Sequence, residues 1–156
     1  MKSSRGKLND APVASSVAVA IFTGGNRLLF LEKKAGNPAK PAELWLPGCI
    51  VSGGENPVAA LGSAVRSQTG IDAQIGGVLC EARYNAGSRK NKRLVPLLAF
   101  HAAAKSLKAV PSAGFSGSAW IAIDAIAKQK NLGKNALWLA AHGCDLPAHL
   151  KARASF

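Results

Sequence analysis

The chain has 156 residues, 48% of them hydrophobic, and its 20 basic and 8 acidic side chains give a formal net charge of +12. This size suits one domain with a real core, and the composition excludes a disordered chain, which would combine low hydrophobicity with high charge. No apolar run reaches the roughly 20 residues of a membrane helix, so we expect no membrane partner. The positive charge alone favours polyanionic partners, namely nucleic acid, nucleotides or an acidic membrane surface, but it is equally compatible with simple solubility or a basic proteome.

The cysteine content indicates a reducing environment. Cys49, Cys80 and Cys144 have neither the even count nor the spacing of a disulfide framework, so we expect reduced thiols in a cytoplasmic protein. His142, Cys144 and His149 match no zinc spacing, and we predict no metal site there. The basic and then apolar start of the chain lacks a small-residue cleavage site, which argues against a secretory signal.

Extended segments are predicted after a flexible basic tail over residues 1–12. Val17–Phe22 and Arg27–Glu32 are β-rich runs around a Gly-Gly-Asn turn and predict a hairpin. Trp45–Leu46 and Cys49–Ser52 form two short extended pieces on either side of a Pro-Gly turn.

The clearest helix is predicted over Asn56–Thr69. Asn56 is a good N-cap, Pro57 fits the first helical position and Gly70 is suited to a left-handed stop.

One face of this helix is predicted to be buried. Val58, Leu61 and Val65 share an apolar stripe at helical spacing. Gly62 lies on the same side and costs about 1 kcal/mol relative to Ala, which indicates a close backbone approach there.

The second half of the chain predicts further strands and two weaker helices. Ile75–Arg83 and Leu94–Ala103 are strands joined by a basic turn. Trp120–Ile123 is a short strand, and a weak helix follows to about Lys130 with Asp124 as its N-cap. A last helix is predicted over Ala136–Ala141, packed through Leu137, Trp138 and Leu139. The order β-β-β-α-β-β-β-α predicts an α/β (α+β) fold with a mixed sheet between helices.

The stretch Leu44–Ile71 resembles the Nudix box region, G-x5-E-x7-R-E-U-x-E-E-x-G-U after a W-x-L-P-G-G lead, where U is a bulky aliphatic residue. The lead reads Leu-Trp-Leu-Pro-Gly and is followed by Cys49, Glu55 falls on the first glutamate, and Val65, Gly70 and Ile71 match the later positions. The resemblance covers roughly Ser16 to Ala141. It implies a Nudix-type α/β/α sandwich over residues 13–143, followed by a C-terminal extension over residues 144–156.

The same alignment implies that the box is degenerate. Ser63 replaces the family's arginine, and Ala64, Ser67 and Gln68 replace three glutamates. Positions 64, 67 and 68 share one helix face, where carboxylates would hold divalent cations. Without them the resemblance implies no metal site and no cofactor, and so a pseudoenzyme.

Two carboxylates remain candidates if activity persists. Glu55 could keep a catalytic role or merely favour the positive end of the helix dipole. Glu81, on the strand after the box helix, could face either the cleft or solvent.

The basic turn is the second candidate feature. Five cations fall within eleven residues around Tyr84, namely Arg83, Arg89, Lys90, Lys92 and Arg93. They are either a solvated hairpin tip or a phosphate-binding finger on which Tyr84 stacks a base.

Three hypotheses follow. The first is a non-catalytic binder of a nucleotide, a diphosphate-linked ligand or nucleic acid through Arg and Lys, with Ser67 and Gln68 as neutral lining of the cleft. The second is a divergent Nudix hydrolase acting on a nucleoside diphosphate linked to another group, with magnesium held by Glu55, Glu81 and the substrate phosphates. The third is a structural domain that docks a partner. The oligomeric state is left open by the sequence.

Overall fold

The computed structural model describes residues 15–34, 36–37 and 39–141. The tail predicted over residues 1–12, the extension over residues 144–156 and the dismissed histidine–cysteine group around Cys144 lie outside these residues. None of the described helices is long and apolar enough to cross a membrane.

Seven strands among the described residues form one mixed sheet. They are β1 (Ser16–Gly24), β2 (Arg27–Lys33), β3 (Glu43–Trp45), β4 (Gly48–Val51), β5 (Gln74–Asn85), β6 (Leu94–Ala103) and β7 (Gly117–Ala122). The order along the sheet is β3-β2-β1-β6-β5, while β4 also pairs with β1 and β7 with β2. The pair β1–β6 is parallel and the other strand pairs are antiparallel.

Helical segments cover both faces of the sheet. They are α1 (Pro57–Thr69), a 3₁₀ helix (Ile123–Lys128) and α2 (Leu137–Ala141). The central strand β1 is buried on both sides, so its odd residues Val17–Ile21 pack toward α2 and its even residues Ala18–Phe22 toward α1. This arrangement confirms the predicted sandwich with a mixed sheet.

Helix α1 begins and ends where its sequence predicts. The Asn56 side chain accepts hydrogen bonds from the backbone N–H groups of Val58 and Ala59 at 2.9 and 3.2 Å. Gly70 adopts a left-handed φ of 73° and donates its N–H to the Arg66 carbonyl. Both ends of the helix are therefore capped by local chemistry.

The buried stripe of α1 differs from the prediction in its first member. Leu61 and Val65 are buried, but Val58 is 41% exposed. The third buried position is Thr69, whose hydroxyl donates to the Val65 carbonyl at 2.7 Å. The helix therefore packs through its middle and last turns, and the turn that carries Val58 remains in solvent.

Two further predictions are wrong in detail near the C-terminal end of the described chain. Asp124 does not cap a helix, because Ala122 occupies the N-cap position without a side-chain hydrogen bond and Asp124 lies inside the first turn. Leu137 is 53% exposed, whereas Trp138 and Leu139 are buried as predicted. The described residues leave about half of the Leu137 surface uncovered in this five-residue helix.

Gly62 provides a test of helix propensity, because the predicted close backbone approach is absent. A Cβ atom on Gly62 would meet only Ile75 Cγ1, at an ordinary 3.9 Å. We expect Gly62→Ala to raise the free energy of unfolding by about 0.5–1 kcal/mol in urea denaturation, because Ala loses less backbone entropy. Gly48→Ala is the contrasting control, since its Cβ would lie 2.5 Å from the Ala18 carbonyl oxygen. A destabilised Gly62→Ala variant would contradict this interpretation.

Candidate functional site

A cavity of about 200 Å³ opens where β1, β3 and β4 meet. Its lining combines three aromatic rings, two amide side chains and one cation. These residues are Trp45, Tyr84, Phe115, Gln68, Asn135 and Lys33, together with Val17, Leu46, Gly48, Cys49 and Ile50. None of these described lining residues is acidic, so the cavity suits an anionic or neutral ligand better than a cation.

Two amide side chains hold the backbone that forms the cavity floor. Gln68 accepts from the Gly48 N–H at 3.1 Å and donates to the Gly48 carbonyl at 2.8 Å. Asn135, 5% exposed, does the same for Leu46, at 2.9 Å and 2.8 Å. We call this pair of contacts the amide clamp. Each amide acts as donor and acceptor at once, which neither a carboxylate nor an ammonium can do.

The segment between the clamped residues is equally constrained. The Pro47 carbonyl accepts the Ala20 N–H at 2.8 Å, and Gly48 lies opposite Val19 in the β1–β4 pairing. A side chain at Gly48 would collide with the Ala18 carbonyl and with Val19. Only glycine permits this approach, which explains the Pro-Gly sequence at this turn.

A lysine lies over each of two aromatic walls. Lys33 Nζ is 5.1 Å from the Trp45 ring centroid, and Lys134 Nζ is 5.3 Å from the Tyr84 ring centroid. Lys134 also donates to the Gly87 carbonyl at 3.4 Å. Such cation–π contacts position the ammonium groups beside the cavity without neutralising their charge.

Two groups of the cavity wall, the Tyr84 hydroxyl and the Cys49 thiol, have raised pKa values and stay neutral at pH 7. Burial raises the pKa of the Tyr84 hydroxyl, so it keeps its proton as a hydrogen-bond donor. Burial, and secondarily the negative charge of Glu55, raise the pKa of the Cys49 thiol. Cys49 is therefore not an activated nucleophile.

The basic turn is a hairpin loop between β5 and β6 that is closed by hydrogen bonds of one asparagine side chain. The Asn85 side chain accepts from the N–H groups of Gly87 and Arg93 at 2.9 and 3.0 Å and donates to the Ser88 carbonyl at 3.2 Å. The Ala86 N–H donates to the Arg93 carbonyl at 2.8 Å. One asparagine thus fixes the turn that presents the cationic tip, Arg89, Lys90, Lys92 and Arg93, to solvent.

The helix positions aligned with the Nudix glutamates do not fit a divalent metal. Ala64 has no donor atom, Ser67 is exposed, and both polar ends of Gln68 are occupied by Gly48. Glu55 accepts the Ser52 N–H at 2.8 Å while its own N–H donates to the Ser52 carbonyl, so it closes a local turn. Among the described residues, no three His, Cys, Asp or Glu side chains are grouped so that they could hold a metal ion. Hard cations need several oxygen ligands, mostly anionic, and this set does not supply them.

The structure brings only part of the predicted site together. Gln68 and Tyr84 line the cavity, whereas Ser67 does not. Ala82 and Tyr84 pack into the core on the α2 side of the sheet. Glu81 and Arg83 alternate with them along β5 and are exposed, so these two side chains lie on the opposite face of the strand. Glu55 lies in its turn, and the four cations of the hairpin tip extend beyond the cavity lining.

Several residues that line the cavity were not predicted as site residues from the sequence. Lys33, Phe115 and Asn135 come from three distant segments, and their convergence follows from strand order. Trp45 was seen only as part of the lead sequence. A signal for Asn135 exists in hindsight, because an asparagine just before an apolar helical stretch suits capping or backbone pairing.

Comparison with solved structures identifies the fold. The chain is similar to the MutT protein from Methanosarcina mazei Go1, with 15% identity, TM-score 0.62, and coverage of 83% of this chain and 94% of that one. It is also similar to a Nudix hydrolase from Nitrosomonas europaea, with 17% identity, TM-score 0.59, and coverage of 87% and 94%. A third similar structure is the Nudix domain of Shewanella oneidensis NrtR complexed with ADP ribose, with 14% identity, TM-score 0.56, and coverage of 82% and 84%.

These likenesses establish that the chain has the Nudix fold, as its lead sequence and box spacing imply. No protein-family model matches the chain, and no curated protein matches it by sequence.

The amide clamp predicts that position 68 does not tolerate the glutamate that the Nudix box has there. We expect Gln68→Glu to lower the free energy of unfolding at pH 7 by about 1–3 kcal/mol, because a carboxylate cannot donate to the Gly48 carbonyl. Ser67→Glu is the matched control. It adds the same charge at the exposed neighbouring position and should change stability by no more than about 0.5 kcal/mol. Equal effects in thermal or chemical unfolding would show that charge, and not the clamp, determines the outcome.

Proposed function

We propose that this chain is a Nudix-fold binding domain that holds a nucleotide or a diphosphate-linked nucleoside by direct contacts, without hydrolysing it through bound magnesium. The observation that carries this proposal is the cavity itself. It offers aromatic walls with a lysine over each of two rings, and none of its described lining residues is acidic.

The aromatic walls suit a base. Trp45 and Tyr84 present ring surface beside a cavity that also contains Phe115. Stacking on such rings contributes about 1–3 kcal/mol per base and tolerates any base identity. The neutral Tyr84 hydroxyl adds a hydrogen-bond donor.

The cations suit the phosphates. Lys33 lines the cavity, Lys134 lies over the Tyr84 ring that lines it, and the hairpin tip carries four more positive side chains. In this proposal the lysines contact the phosphates directly, and the tip supplies an outer field that attracts the anion. Arg83, on the other face of β5, has no part in the site.

The hydrolase hypothesis receives less support from the geometry. It needs Glu55 and Glu81 to hold a metal together with the substrate, but neither lines the cavity. Glu55 is engaged with Ser52, and Glu81 lies on the opposite face of β5 from Tyr84. Ala64, Ser67 and Gln68 add no carboxylate to such a site. The partner-docking hypothesis explains neither the lysine over each of two rings nor the cavity that these rings line.

ADP-ribose is a suitable probe, since a Nudix domain with this fold binds it. We expect calorimetry to detect binding of equal affinity in EDTA and in millimolar magnesium. Tyr84→Ala should weaken binding by about 1–3 kcal/mol through lost stacking. The same variant should change the affinity for inorganic pyrophosphate much less, because pyrophosphate has no base.

Measurements with magnesium can contradict this proposal in two ways. If magnesium alone raises the melting temperature, the native state binds it, and a metal site exists that these residues do not explain. Steady release of AMP from ADP-ribose in magnesium would establish the hydrolase instead.

The double variant Lys105→Ala and Lys108→Ala is the control for a general effect of positive charge on ligand binding. Both lysines lie near the end of β6, outside the cavity lining.

Removing the charges of the hairpin tip tests whether the tip attracts the ligand at long range. We expect the combined change of Arg89, Lys90, Lys92 and Arg93 to Ala to weaken ADP-ribose binding at low salt and to flatten its salt dependence. Stability should change little, because these side chains are exposed and Asn85 still closes the turn. An oligonucleotide that binds the native protein with a log affinity falling with log salt at about −0.7 per phosphate contact, and the variant with a flatter slope, would assign the tip to single-stranded nucleic acid. An unchanged salt slope would show that the tip is only a solvated turn.

A further inference from the structure

Strand β5 lies at one end of the sheet order and pairs only with β6 among the described residues. It is twelve residues long, and its pairing is irregular between Ile75 and Cys80, where the register shifts twice. From Cys80 to Asn85 the register is regular. Bulges blunt an edge strand, so the regular part is the segment that can accept another strand.

The regular segment carries an alternating charge pattern. Glu81 and Arg83 are both exposed and point to the same face of the sheet, with Ala82 between them on the opposite face. Directly opposed residues in an antiparallel pair lie on the same face, within reach of each other's side chains.

We propose that the β5 edge binds a second copy of this chain in antiparallel orientation, with the two-fold axis at Ala82. In this register Glu81 of each copy lies opposite Arg83 of the other, which gives two ion pairs from one strand. This inference does not depend on the proposed ligand, because Glu81 and Arg83, which carry it, lie outside the cavity lining, although Tyr84 of the same segment is part of it.

The charges also select this register over its neighbours. An axis at Glu81 would oppose the two glutamates, and an axis at Arg83 would oppose the two arginines. Like charges directly opposite are destabilising, so the alternation favours the Ala82 axis. In that register the hairpin turn of one copy passes beside Gly77 of the other, which is exposed and has open space where a side chain would be.

Sedimentation velocity over micromolar to millimolar concentrations tests the proposal. We expect concentration-dependent dimers of the native protein. Glu81→Arg and Arg83→Glu should each raise the dimer dissociation constant about tenfold, because two attractive cross-strand pairs become repulsive. The double variant keeps the native net charge and should regain the native dissociation constant.

A mixture of the two single variants provides the decisive test. The Glu81→Arg and Arg83→Glu variants are complementary at both positions, so their equimolar mixture should associate more tightly than either alone. Asp124→Arg and Lys128→Glu make the same charge changes at exposed positions of the 3₁₀ helix, outside β5, and should leave association unchanged. A native protein that stays monomeric throughout overturns the proposal. So does a mixture no tighter than its components, even if the single variants are impaired.

Discussion

The amide clamp on Leu46–Gly48 determines where the walls of the cavity lie. Gln68 comes from α1 and Asn135 from the segment before α2, so helical layers on opposite faces of the sheet hold one short strand connection. The clamp satisfies the backbone of Leu46 and Gly48, while Ala20 satisfies the carbonyl of Pro47. Buried polar groups of this kind are costly to leave unpaired, which makes the geometry of Trp45 and of the cavity floor depend on these two amides.

The clamp also explains the electrostatics of the site. A glutamine at position 68 is neutral and fully used, so the helix face contributes no negative charge beside the cavity. Lys33 and Lys134 are held over aromatic rings, and these contacts leave their charge uncompensated. Glu43 is paired with Lys33 between β2 and β3, but none of the described lining residues is acidic, and such a lining is the opposite of what a metal-dependent site requires. It is the lining that a diphosphate requires if no cation accompanies it.

The sequence predicts local features well and long-range polar contacts poorly. The caps at Asn56 and Gly70 depend on residues within a few positions, and both are found as predicted. The bonds between Gln68 and Gly48, and between Asn135 and Leu46, span 20 and 89 residues. No periodicity encodes such pairings, so the sequence predicts Gln68 as neutral lining of the cleft but not its hydrogen bonds to Gly48. The predicted burial of Val58 and Leu137 is wrong for a related reason. A stripe of apolar residues shows which face of a helix is apolar but not how far the neighbouring sheet extends.

The difference between a lysine and a divalent cation decides what this fold can do with a bound diphosphate. A metal ion lowers the pKa of its bound water and generates a nucleophile at neutral pH, whereas an ammonium only stabilises negative charge. With Cys49 kept protonated and Glu55 engaged in its turn, the described cavity supplies no activated nucleophile either. A diphosphate held by Lys33 and Lys134 would therefore remain intact while bound.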